Sequence, residues 1–109
     1  MPRIHPAVTF GFVTCVHFVV SVLLLLYIFG SGMARFDTGV PASFTESVAG
    51  WTFTVLSLPL LTLFERMPAA RFPGLWGYVP FLLNASVWGV AAGLVHWRRR
   101  ARLARATAR

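Results

Sequence analysis

The apolar residues of this chain are gathered into three long blocks rather than repeated with the period of a half-buried helix or strand. The blocks run over residues 7–29, 44–64 and 78–97, and the first has 23 residues without an acid, lysine or arginine. At about 1.5 Å per residue, a helix of that length crosses a hydrocarbon core of about 30 Å. The pattern predicts an all-α fold, in which residues 1–97 form an integral membrane bundle of three transmembrane helices.

The second block is interrupted by hydroxyl residues and by Pro59. Membrane helices tolerate a proline where neighbouring groups satisfy the freed carbonyl, so we predict a bend over residues 55–59. The block is preceded by Ser43-Phe44-Thr45-Glu46, which fits a capping box. In that motif the serine and the glutamate satisfy each other's backbone N–H groups, so a helix is predicted to begin near Phe44.

The third block is bounded by aromatic residues and followed by a basic tail. Trp76 and Tyr78 precede it and Trp97 ends it, as interfacial aromatic residues do in membrane helices. Residues 98–109 form a separate segment, predicted to lie in the cytoplasm. Its five arginines predicted to anchor the chain on anionic lipid are Arg98, Arg99, Arg100, Arg102 and Arg105.

Composition and charge agree with lipid as the solvent. Hydrophobic residues make up 57% of the chain and charged residues 12%, which is about half the charged fraction of a soluble domain. The net charge of +7 comes from ten arginines and three acids, with six arginines between Arg98 and Arg109. Phospholipid headgroups are the nearest anions to this tail. Nucleic acid is excluded as a partner because the tail has no aromatic platform or groove-entering element.

Arginine counts predict the orientation of the three spans, since the more basic side stays in the cytoplasm. The tail and the loop over residues 30–43 share one side, which carries seven arginines. The opposite side has Arg3, Arg66 and Arg71. The N-terminus is therefore predicted outside and the C-terminus in the cytoplasm. A secretory signal peptide is the alternative for the first block, but the block is longer than the apolar core of a signal.

Small residues recur every four positions along the third block. Ala85, Gly89 and Gly93 fall on one helix face and form a shallow groove. Such grooves let a second helix approach closely, and van der Waals packing drives helix association in lipid. The alternative is that these glycines are tolerated without a packing role, since membrane helices are rich in glycine.

Polar residues inside the three blocks are predicted to meet in one intramembrane cluster, because an unpaired polar group in hydrocarbon costs several kcal/mol. With the second span antiparallel to the other two, the helical rise gives two sets at matching depths of roughly 10 and 15 Å. The shallower set is Thr14, Ser57 and Asn84, and the deeper set is His17, Thr54 and Trp88.

His17 has two interpretations. It could carry protons or bind a ligand, as intramembrane ionisable groups often do, or it could be a neutral histidine that fixes helix register. The second is favoured because no carboxylate lies deep in a span. Haem is not expected, since no second histidine matches its depth, and Cys15 is badly spaced with His17 for a shared metal. No cofactor is predicted.

The side chains do not form a recognisable catalytic arrangement. Asp37, Glu46 and Glu65 all lie at loops or helix ends, and no base oriented by a third group can be assembled. We therefore expect a non-catalytic membrane protein that acts through helix–helix association, as an accessory subunit of a larger complex or as a homo-oligomer. The alternative is an oligomeric small transporter or channel.

The stretch "YVPFLLNASVWG" with the arginine tail after it resembles small three- or four-span inner-membrane proteins of bacteria. The resemblance covers mainly the last third of the chain. It implies a bacterial inner membrane and carries over no activity and no functional residues.

Overall fold

The computed structural model describes residues 5–68 and 73–107, and no strand occurs among them. The helices are α1 (Pro6–Arg35), α2 (Phe44–Ser57), the single turn α3 (Leu61–Phe64) and α4 (Val79–Thr107), with a 3₁₀ segment, Gly74–Tyr78, leading into α4. The all-α fold class is confirmed. Within the described residues, two helices are long and apolar enough to cross a membrane: Pro6–Arg35 and the continuous segment Gly74–Thr107.

The helix starts follow from local capping. The His5 ring accepts a hydrogen bond from the N–H of Ala7, and Pro6 occupies the first position of α1, where its missing N–H is no loss. At α2 the predicted capping box is confirmed: Ser43 N–H donates to Glu46 Oε2 at 2.8 Å and Glu46 N–H donates to Ser43 Oγ at 3.2 Å. These caps satisfy donors that the helices cannot satisfy themselves.

The predicted second span is not one helix. α2 ends at Ser57, residues 58–60 form a turn containing a cis Leu58–Pro59 peptide, and α3 has only four residues. With 14 residues α2 covers about 21 Å, which is less than the hydrocarbon thickness. The three-span bundle is therefore not confirmed, and the predicted bend is a full interruption of the helix.

The α2–α3 segment forms a hairpin that leaves and returns at the same end of the molecule. α2 begins beside the end of α1, where Arg35 Nε lies 3.0 Å from Glu46 Oε2. It then runs back along α1 until the Leu56 carbonyl reaches His17. Beyond the turn, Leu61 and Glu65 line a cavity with Leu25 of α1 and with Pro80 and Phe81 at the start of α4.

Because the hairpin turns back, α1 and α4 run antiparallel. The direction follows from three contacts between the two helices: Gly93 with Pro6, Trp88 with His17, and Phe81 with Leu25. A three-span chain would instead make these helices parallel. Three spans would put Glu65 on the opposite side from Asp37 and Glu46, whereas the hairpin places all three acids toward the same end of the molecule.

The groove of small residues is where α1 packs on α4. Ala85 is fully buried, Gly89 is buried, and Gly93 contacts the first turns of α1. A Cβ on residue 89 would lie 2.9 Å from the Phe10 carbonyl oxygen and would overlap the Thr14 hydroxyl. The predicted groove thus accommodates a helix of the same chain, and its glycine is required for the close approach.

Burial is inverted relative to a water-soluble protein. The buried polar residues are His17, Ser21, Ser57 and Asn84, whereas the buried apolar residues are Ala49, Leu61 and Ala85. Large apolar side chains cover the outside, with Phe12 69% and Trp51 75% exposed. Such a surface has far more exposed apolar area than soluble monomers carry.

Gly89→Ala is expected to lower the free energy of unfolding by about 1–3 kcal/mol, the usual cost of overpacking, because the methyl group meets backbone. Gly50→Ala is the matched control, since a Cβ there meets nothing within 4 Å. It should be neutral or stabilising by up to about 1 kcal/mol through helix propensity. Unfolding in mixed detergent–SDS micelles, followed by circular dichroism, measures both. Equal losses in the two variants would contradict this packing.

Candidate functional site

The interruption between α2 and α3 leaves backbone groups that no helix can pair. The last carbonyls of α2 and the first N–H groups of α3 have no i/i+4 partner. An unpaired buried peptide group costs several kcal/mol in an apolar medium. The side chains that satisfy these groups therefore define the most demanding polar site of the described chain.

Asn84 caps both sides of the interruption. Its Oδ1 accepts from the N–H of Leu60 at 3.0 Å and from the N–H of Leu61 at 3.4 Å. Its Nδ2 donates to the Leu56 carbonyl at 2.7 Å. The amide orientation is fixed because N–H groups need an acceptor and the carbonyl needs a donor. At 1% exposure, Asn84 is among the most completely buried side chains.

His17 and Trp88 complete the cap. Trp88 Nε1 donates to the Leu58 carbonyl at 2.7 Å, and His17 Nε2 lies 3.1 Å from the Leu56 carbonyl oxygen. The two rings stack, with centroids 5.6 Å apart and planes inclined by 22°. A carbonyl oxygen only accepts, so His17 carries its proton on Nε2. Nδ1 then accepts from the Ser21 hydroxyl at 3.4 Å.

The three hydroxyl residues of the predicted cluster differ in burial and in hydrogen-bond partner. Ser57 is buried beside the cap and donates to the Phe53 carbonyl at 2.7 Å. Thr54 is exposed and donates to the Gly50 carbonyl. Thr14 faces Gly89, and its buried hydroxyl has no hydrogen-bond partner. The structure therefore brings His17, Asn84 and Trp88 together at the hairpin with Ser57 buried beside them, whereas Thr14 and Thr54 make no hydrogen bond to the cap.

Two participants in the cap were missing from the predicted cluster. Ser21 lies one turn from His17, and that spacing was the available signal for its contact with the imidazole ring. The backbone of residues 56–61 could not be identified from side-chain types. The sequence signal for this interruption was Pro59, which lies two residues after the end of α2.

The polar side chains of the cap are used to pair backbone groups. Its polar side chains are all engaged with the hairpin backbone or with each other. The described residues contain no group of three or more His, Cys, Asp or Glu side chains that could hold a metal ion. Cys15 is exposed. The contacts of the cap side chains hold the hairpin backbone against α1 and α4.

The arginines at the end of α4 divide by helix face. Arg98, Arg99 and Arg102 line one small cavity with Val95. Arg105 follows on the same side by helical spacing, and Arg100 points to the other side. The basic tail predicted for residues 98–109 is thus a continuation of α4 as far as Thr107.

Asn84→Leu is expected to lower the free energy of unfolding by about 3 kcal/mol, because two N–H groups and a carbonyl lose a buried partner. Ser86→Ala is the control, since Ser86 bonds only the Leu82 carbonyl of its own helix. That change should stay within about 0.5 kcal/mol. Hydrogen exchange should accelerate at the amides of Leu60 and Leu61 in Asn84→Leu alone. Unchanged protection of these amides would contradict the capping role.

Comparison with protein-family models, curated protein sequences and solved structures finds no match to this chain. The roles of Asn84, His17 and Trp88 therefore follow from their contacts alone. Those contacts identify the site as a structural cap on a helix interruption.

Proposed function

We propose that the chain is an integral membrane protein of the bacterial inner membrane with two spanning helices, α1 and α4, and a re-entrant α2–α3 hairpin. The observation that carries this proposal is the inverted burial, with polar groups inside and large apolar side chains outside. Non-helical backbone at membrane depth is tolerated where protein surrounds it, and the hairpin tip meets that condition through its cap.

Two other classes of apolar helix fit the contacts less well. A core helix of a soluble protein is mostly buried, whereas only 17% and 28% of the most apolar windows of the two long helices are buried. A cleaved signal would remove α1, and with it the ring that contacts the Leu56 carbonyl and the surface that covers Gly89. We therefore propose that both long helices stay in the mature protein as membrane spans.

Both termini are proposed to lie in the cytoplasm. Antiparallel spans put the start of α1 and the end of α4 on one side, which carries five described arginines: Arg98, Arg99, Arg100, Arg102 and Arg105. On the opposite side the described arginines are Arg35 and Arg66. Five against two assigns the more basic side to the cytoplasm, and Arg3, Arg71 and Arg109 lie outside the described residues. This orientation replaces the N-terminus-outside arrangement that three spans would require.

The proposed role is non-catalytic association with other membrane helices, as an accessory subunit or as a homo-oligomer. It is supported by the outward face of α2, where a groove of about 420 Å³ is lined by Ser47, Gly50, Trp51 and Thr54. A Cβ on Gly50 meets nothing within 4 Å, so this face is open to a neighbour. An oligomeric transporter is less well supported, because the buried polar residues His17, Ser21, Ser57 and Asn84 bond to one another or to backbone carbonyl and N–H groups.

Cysteine labelling tests the two-span arrangement. The background is Cys15→Ala. In it, Thr38→Cys places one exposed thiol just after α1, and Thr107→Cys places one at the end of α4. A membrane-impermeant maleimide should label Thr38→Cys in intact cells and label Thr107→Cys only in inverted vesicles. Labelling of both sites from the same side is the result that three spans require, and it would refute the re-entrant hairpin.

Association is tested by native mass spectrometry after extraction in mild detergent. Gly50→Leu should dissociate the complex, because it fills the groove on α2. Gly30→Leu is the matched control, since a Cβ on Gly30 also meets nothing within 4 Å but lies on α1. A lone monomer under every mild condition, or equal effects of the two changes, would remove the basis for the association role.

A further inference from the structure

Two cavities adjoin on the surface of α4 near its basic end. The larger, of about 400 Å³, is lined by Val13, Trp88, Ala91, Ala92, Val95 and Arg99. The smaller, of about 170 Å³, is lined by Val95, Arg98, Arg99 and Arg102. Because they share Val95 and Arg99, they form one continuous surface with an apolar part and a basic part.

This surface runs along α4, and in the proposed placement α4 crosses the membrane. From Val95 to Trp88 the apolar part extends about 10 Å along α4, toward the middle of the span. It lies between α1 and α4, since Val13 forms its other wall. The arginines begin directly after Trp97, at the level of the headgroups. The apolar part therefore lies at the depth of acyl chains and the basic part at the depth of phosphates.

Within the part of the chain that the structure describes, no acidic side chain lies near the arginines of the smaller cavity. The three acidic side chains, Asp37, Glu46 and Glu65, all lie at the other end of the molecule. Among the described residues, the ion pair is Arg35 with Glu46, which leaves these guanidinium groups to external anions. Clustered guanidinium groups bind phosphate oxygens through paired, charge-assisted hydrogen bonds.

We propose that this surface binds one anionic phospholipid, with its phosphate between Arg98, Arg99 and Arg102 and one acyl chain along the apolar groove as far as Trp88. The inference rests on the proposed membrane placement. A zwitterionic lipid is disfavoured because its ammonium group would lie among uncompensated arginines. Phosphatidylglycerol, whose headgroup has no cation, satisfies both parts of the surface.

The charge requirement is tested by native mass spectrometry of the detergent-solubilised protein with phosphatidylglycerol or phosphatidylcholine of identical acyl chains. The unmodified protein should retain phosphatidylglycerol preferentially. Arg99→Gln should weaken retention about tenfold, as loss of a charge-assisted hydrogen bond does. Arg105→Gln removes the same charge outside the cavity and should change retention by less than about twofold. Equal losses in the two variants would overturn the site, because they indicate diffuse attraction.

The acyl-chain requirement is tested with Ala91→Phe, which fills the groove. Val90→Phe is its control, since Val90 is exposed beside the groove without lining it. Only Ala91→Phe should reduce phosphatidylglycerol retention, and inorganic phosphate should not displace the lipid. Displacement by phosphate, or retention unaffected by Ala91→Phe, would overturn the proposal. Circular dichroism checks that each variant keeps its helix content.

The cysteine-labelling result separates this inference from the membrane placement. If Thr38→Cys and Thr107→Cys label from the same side, both proposals fail. If they label from opposite sides and Arg99→Gln behaves as Arg105→Gln does, the lipid site alone fails.

Discussion

A polypeptide that turns back inside an apolar environment must pair its backbone groups at the turn. In this chain Asn84 forms most of the hydrogen bonds that pair them. One amide accepts from two N–H groups of the returning segment and donates to a carbonyl of the entering helix. Trp88 donates to the Leu58 carbonyl, and His17 shares the Leu56 carbonyl with Asn84. The contact of His17 depends on close packing of α1 against α4, and that packing requires Gly89 to lack a side chain.

The direction of the whole chain follows from this turn. A segment that leaves and returns at one end of the molecule makes the helices on either side of it antiparallel, so the first turn of α1 lies beside Gly93 of α4. The arginine-rich end of α4 then lies far from all three acidic side chains, Asp37, Glu46 and Glu65. The capped turn thus determines where the charges lie along the molecule, and in the proposed membrane placement it leaves these arginines available to lipid.

Hydrophobic blocks predicted two of the helices well because length and apolarity decide whether a helix can cross a bilayer. The prediction from the second block was wrong because residues 44–64 are also long enough to cross a bilayer as one helix. Hydropathy does not indicate where the backbone reverses. His17 and Trp88 stack on each other although α1 and α4 are antiparallel and not parallel as three spans would make them. Both lie near the middle of a span, where reversal leaves depth unchanged. Thr14 lies off the middle, and reversal moved it from Asn84 to Gly89.

The antiparallel crossing of α1 and α4 is tested most directly by spin-label distances in liposomes, in the Cys15→Ala background. Val8, Met33 and Val95 are all exposed and accept labels without disturbing the packing. The structure predicts less than about 20 Å for the Val8–Val95 pair, as for neighbouring helices. It predicts about 40 Å for the Met33–Val95 pair, from the helical rise between residues 8 and 33. A long first distance with a short second one would contradict the re-entrant hairpin.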